Sequence, residues 1–112
     1  MKNCVQDFLL LLRELQKIDT EFPLQYAVCL GEIAMSEGLS LTQLSERTGM
    51  PLSTISRIIG ALSANRQGGR AYGLVRVVLS QLERRRKELY LTTRGHAVMN
   101  SVVDILTIKA SQ

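Results

Sequence analysis

The stretch Leu39-Ser-Leu-Thr-Gln-Leu-Ser-Glu-Arg-Thr-Gly-Met-Pro-Leu-Ser-Thr-Ile-Ser-Arg-Ile-Ile-Gly-Ala-Leu62 carries apolar residues at helical spacing on both sides of Gly49. Leu41 and Leu44 fall on one face of a short segment that runs to Arg47. Ser40 and Gln43 bracket its start as a capping box: the hydroxyl accepts from an orphan backbone N–H and the glutamine reaches back. Thr48-Gly49-Met50 supplies a turn, because glycine tolerates the left-handed backbone that such a corner needs. Pro51 or Leu52 opens a second segment in which Ile55, Ile58, Ile59 and Leu62 point inward. Ser53, Thr54, Ser56 and Arg57 then lie toward the outward side. Small hydroxyls and a guanidinium fork can approach a nucleic-acid groove closely and hydrogen-bond to phosphates or base edges. The pattern is that of a helix-turn-helix.

Charge follows the same division. Residues 1–50 carry four basic and seven acidic side chains, whereas residues 57–94 carry nine basic and two acidic ones. A net +7 in that second stretch, against a formal +4 for the whole chain, is the footprint of a polyanion-binding surface. A length of 112 residues and an apolar share of 46% fit one domain with one modest core.

Upstream, Val5–Ile18 is expected to form a first helix on Val5, Phe8, Leu9, Leu12, Leu15 and Gln16, with Leu10, Leu11 and Ile18 widening the apolar surface beyond one stripe. Its Phe8–Leu12 cluster is far shorter than a membrane span and is bounded by Asp7, Arg13 and Glu14. With no targeting segment evident, a cytoplasmic setting is the default. Phe22-Pro-Leu starts a second helix, Leu24–Ser36, that buries Tyr26, Val28 or Cys29, Leu30 and Ile33 before Gly38 closes it.

Downstream, Gly73–Leu79 and Lys87–Leu91 read as two strands, with Val75, Val77, Leu89 and Leu91 inward and Ser80–Arg86 as the tip. Such a ribbon is marginal alone and has to pack on the helices. Arg84, Arg86 and Lys87 are candidate phosphate contacts. Between the second short helix and the ribbon, Asn65-Arg-Gln-Gly-Gly-Arg70 is polar and glycine-rich. It either lengthens the helix or forms a basic loop whose Arg66 and Arg70 reach phosphates; a solvated connection is the plainer alternative. Thr92 or Thr93 caps a last helix to about Lys109, with Val98, Val102, Ile105, Leu106 and Ile108 on a broad apolar face.

Three stretches carry a family likeness: Leu39–Gly49; Ser53-Thr-Ile-Ser-Arg57 with Leu62; and Gly73-Leu-Val75 followed by Glu83-Arg-Arg85 and Leu91-Thr-Thr-Arg-Gly95. In this order, with helices at both ends, the chain resembles the MarR family of winged-helix regulators over about residues 22–100. The resemblance implies that the helix bearing Ser53–Arg57 enters the major groove and that the wing arginine, matching Arg85, reaches toward the backbone or minor groove. Glu83 stands where the family has aspartate and keeps a carboxylate able to orient Arg85. The resemblance also implies dimerisation through the terminal helices and leaves room for a small hydrophobic effector. Two departures stand out: about eight extra residues around Asn65–Tyr72, and terminal helices short for the family.

The expected architecture is mainly α with a small β-hairpin wing. It is a winged helix-turn-helix in a single domain, 1–112, with a DNA-binding head at 22–94 and dimerisation helices at 1–20 and 95–112. The expected function is sequence-specific binding of double-stranded DNA by a homodimeric transcriptional regulator, a repressor at a palindromic operator. The alternative is a winged-helix protein-interaction, replication or partition module. An enzyme is not expected: His96 has no evident acid or nucleophile partner and reads as a surface or interface residue, and the carboxylates are scattered. Cys4 and Cys29 are too few for a metal box or disulfide framework, with no cofactor implied; Cys29 reads as a core residue, redox sensing being the minor alternative. Tyr26, Tyr72 and Tyr90 read as packing residues rather than a ligand or stacking site.

Overall fold

The computed structural model describes residues 2–63, 72–83 and 86–110. Helices α1 (Lys2–Gln16), α2 (Leu24–Met35), α3 (Leu41–Thr48) and α4 (Leu52–Leu62) are followed by strands β1 (Val75–Leu79) and β2 (Lys87–Leu91) and by helix α5 (Thr93–Ala110). The first helix ends earlier than its apolar period suggests. Its last turn tightens, with the Ile18 N–H donating to Leu15 O at 3.0 Å, so Ile18 leaves the helix and packs against the core.

The helix signals of the middle segment hold. Pro23 precedes the first turn of α2, where its missing N–H is not needed, and Ser36 caps the other end. Both halves of the Ser40–Gln43 capping box are formed, the Gln43 N–H to Ser40 Oγ at 3.1 Å and the Ser40 N–H to Gln43 Oε1 at 2.9 Å. Gly49 ends α3 with φ +75°, the left-handed conformation that L side chains rarely adopt. The chain leaves α4 at Leu62, with Ser63 in an extended conformation, so α4 is not lengthened through Ser63. The insertion's Arg66 and Arg70 lie outside the described residues.

One core joins these elements. Cys29, Leu30 and Ile33 of α2, Leu44 of α3 and Ile55, Ile58, Ile59 and Leu62 of α4 meet Leu74, Val75, Leu89 and Leu91 of the hairpin. In α2, Tyr26 is only half-buried and Val28 is exposed; Cys29 takes the inward position.

The hairpin is antiparallel, with Val75 opposite Leu91 and Val77 opposite Leu89. Val77 departs from the alternation expected of it: it is 40% exposed although Leu89 across from it is sealed. The cause is position in the sheet. On its far side β2 pairs with the chain before α3, Gly38 N–H to Leu89 O at 2.7 Å and Leu89 N–H to Leu39 O at 2.9 Å. β1 is the outer strand, and beyond its root Val77 faces Leu41 and Ile59 across an open cleft of about 410 Å³ instead of packing on them.

Thr92 is the residue that caps α5, its hydroxyl oxygen accepting from the Gly95 N–H at 3.0 Å. A Cβ at Gly95 would collide with the Leu74 carbonyl oxygen, so the absence of a side chain lets α5 sit directly on the strand's approach. From there α5 runs back along α1 and packs on it. Its Val98, Val102 and Ile105 are half-buried and Leu106 is exposed; the Ile108 side chain lies outside the described residues.

Candidate nucleic-acid interface

The corner between α3 and α4 is held by side chains as well as by packing. Ser45 Oγ donates to Met50 O at 2.6 Å, and Thr48 Oγ1 donates to Leu44 O at 2.8 Å and accepts the Met50 N–H at 3.2 Å. These bonds satisfy polar groups that would otherwise leave the turn loose, and they fix how α4 departs from α3. With Ile55, Ile58, Ile59 and Leu62 buried, helical geometry sends Ser53, Ser56 and Arg57 to the opposite, exposed side, while Thr54 is half-buried. The first turn of α4 has no side-chain cap, so its N–H groups remain available to an acceptor in front of the helix.

A cleft of about 580 Å³ separates the first turns of α3 and α4 from the tip end of the hairpin, lined by Ser40, Thr42, Gln43, Ser56, Arg86 and Lys87 among others. Lys87 is exposed at its edge. Arg86 is placed differently from its neighbour. Its Nη1 lies 3.0 Å from Glu83 Oε2, its Nη2 donates to Gln43 Oε1 at 3.0 Å, and its Nε is buried. The fork therefore ties the wing to the capped start of α3. Ser80 closes the wing's tip, its hydroxyl accepting from the Leu82 and Glu83 N–H groups. Arg84 and Arg85 lie outside the described residues; the Glu83 carboxylate, expected to orient Arg85, is seen to engage Arg86.

The expectation that His96 lacks an acidic partner is corrected. Glu37 Oε1 lies 3.3 Å from His96 Nε2 and also accepts the Leu91 N–H at 2.8 Å. The pair links α5 to the β2 end and to the loop after α2. Nothing local in the sequence joins positions 37 and 96. Among the described residues, no three histidine, cysteine or carboxylate side chains are grouped to hold a metal ion, and no helix is long and apolar enough to cross a membrane. Cys29 is fully buried, and burial, with the Glu32 charge second, pushes its thiol up to about 11. At neutral pH it remains protonated and a poor nucleophile.

Residues 33–66 match the family model of the IclR helix-turn-helix domain. No curated protein matches the chain in sequence. Among solved structures, a MarR family transcription regulator superposes with a TM-score of 0.69 at 19% identity, covering 90% of this chain and 61% of that one. Streptococcus pneumoniae FabT in complex with DNA gives 0.70 at 16% identity, over 96% and 73% of the two chains. The fold is that of the MarR-family regulators. The Streptomyces coelicolor PcaV regulator in complex with its natural ligand shares this MarR fold at a TM-score of 0.62 and 24% identity, over 78% of this chain and 57% of that one. The chain thus spans about three-fifths of the length of the MarR family regulator above. The IclR match covers the helix-turn-helix alone, whereas the MarR likeness continues through the wing and the terminal helices.

Proposed function

We propose that this protein is a homodimeric transcriptional regulator that binds duplex DNA at a palindromic operator and represses by occupying it. The observation that carries the reading is the outward row Ser53, Ser56 and Arg57 on α4, opposite a fully buried isoleucine face and beside the cleft edged by Lys87. Residues 22–94 act as the reading head, and residues 1–20 and 95–112 join two chains. In this reading α4 lies in the major groove with Arg57 as its base-reading candidate, and Ser53, Thr54 and Ser56 approach phosphates or base edges. Lys87 and, from the sequence, Arg66, Arg70, Arg84 and Arg85 supply further contacts to the backbone. Arg86 lines the same cleft and, engaged by Gln43 and Glu83, ties the wing to the start of α3. The His96–Glu37 pair is a structural tie, and the protein is not an enzyme. A cytoplasmic setting follows from that role. The open groove of about 450 Å³ between α1 and the start of α2, lined by Leu9, Leu12 and Phe22 together with Arg13, Gln16 and Thr20, is the candidate seat for a small hydrophobic effector.

Selection of binding sites from random duplexes tests the reading. The expected product is an inverted repeat with half-sites about 34 Å apart, bound with an affinity that falls steeply with salt. On that repeat Arg57→Ala is expected to cost about 1–3 kcal/mol and to blur one base position, whereas Lys87→Ala weakens all duplexes alike and lowers the salt slope by about one. A selection that returns no shared sequence, or binding indifferent to salt, contradicts the proposal.

A further inference from the structure

Tyr72 closes the stretch in which this chain departs from the family's spacing, and each of its groups is used on a different element. Its N–H donates to Ala61 O at 3.2 Å, in the last turn of α4. Its carbonyl oxygen accepts from Arg94 Nη1 at 2.6 Å, in the first turn of α5. The phenol donates to Asp19 Oδ2 at 2.7 Å, in the corner that leaves α1. The ring meets Phe22 and Tyr26 edge-on, with centroids 5.3 and 6.1 Å away. Asp19 is itself oriented, its other carboxylate oxygen accepting the Glu21 N–H at 2.9 Å.

These contacts connect the reading helix to the paired terminal helices. We propose that Tyr72 and Asp19 form a latch that fixes the angle between head and terminal helices, and so the half-site spacing that a dimer accepts. The inference rests on the dimeric DNA-binding reading above. In such a dimer two heads meet half-sites one helical turn apart, and each base pair added or removed rotates one half-site relative to the other. Heads held rigidly on their shared helices reject an altered spacing. Heads on a loosened corner follow it. The hydroxyl is the part of Tyr72 suited to this control, because ring packing and both backbone bonds survive its removal, while the link to Asp19 is lost. Tyr72 is thus a positioning residue that touches no DNA.

The test uses the full chain, the duplex selected by wild-type protein, versions of it with one or two base pairs added or removed at the centre, and a duplex with one half-site. Tyr72→Phe is expected to weaken binding to the selected spacing by about threefold to tenfold and to shrink the penalty for altered spacing by a similar factor. Half-site affinity and the salt slope stay at wild-type values. Asp19→Ala breaks the same bond from the other side and also removes the acceptor of the Glu21 N–H, so it relaxes the spacing profile at least as far as Tyr72→Phe, and the double variant adds nothing beyond Asp19→Ala; if Tyr72→Phe fails to fold, Asp19→Ala carries the test. A folded Tyr72→Phe with the wild-type spacing profile overturns the latch, as does an equal loss on the half-site duplex. Wild-type protein that binds no duplex, or that tolerates every spacing, overturns the dimeric reading and the latch with it.

Discussion

The head and the two chain ends solve the burial problem in opposite ways. In the head, apolar side chains from three helices and the hairpin close around one another, and Ile33, Leu44, Ile55, Leu62 and Leu89 are all 0% exposed. At the ends, α1 and α5 pack together yet leave Phe8 58%, Leu9 47% and Leu106 52% exposed. Apolar surface is normal on any protein, but several large side chains on the same paired helices form an unfinished surface. The head seals its core within one chain, while Leu24, Met35 and Leu82 stay exposed at its surface. The ends bring more apolar area than one chain covers, which is the physical ground for assigning them to assembly.

The sharpest way to break this contrast is to remove volume in each region. Ile55→Ala empties part of the sealed core and is expected to lower unfolding stability by about 2–5 kcal/mol in denaturant titrations. Phe8→Ala, on a side chain more than half exposed, is expected to change the stability of the isolated chain far less. Equal losses would erase the distinction between head and ends.

A smaller effect is expected from charge at the ends. Leu9→Glu or Leu106→Glu places a carboxylate on the face assigned to assembly, where a buried large apolar side chain contributes roughly 1.5–3 kcal/mol. Light scattering is expected to show a dimer for the wild type and folded monomers for these variants. A wild-type monomer at high micromolar concentration rules this out.

The smallest effect separates the two cysteines. Cys4 is exposed on α1 and Cys29 is buried in the head, so a thiol reagent at pH 8 should label Cys4 in the folded protein and reach Cys29 only on unfolding. Burial holds the Cys29 thiol near 11 against an ordinary value of 9.0, and a raised value means that the fold favours the neutral form. That contribution is fully present below pH 9.0 and is lost as pH rises through about 11. Denaturant midpoints at pH 8 and pH 10.5, with Cys29→Ala as control, check the sign. Rapid labelling of Cys29 in folded protein contradicts its placement.

Local signals made most of the head legible. Ser40 with Gln43, Gly49 and Pro51 act within a turn of their own position, and the four inward residues of α4 obey a helical period. The ends were legible as apolar but not as partners, since a period shows a face and not what covers it. Val77 takes the inward side but is not buried, because alternation marks which side of a sheet a residue takes and not whether the space it faces is filled. The ties that orient the candidate site are long-range: Arg86 to Gln43 spans 43 residues, Tyr72 to Asp19 spans 53 and Leu91 to Glu37 spans 54. No spacing rule connects such positions. Arg86 looked like one more basic residue in a run, and only the fold separates a fork turned to Gln43 from the exposed Lys87 beside it.

Sedimentation of wild-type protein with the selected operator tests most directly the claim that heads with sealed cores are joined by incomplete ends. Two chains should bind each duplex that carries both half-sites, as a unit that already exists without DNA. A single chain bound to the full operator, with the free protein monomeric at the same concentration, would contradict the account.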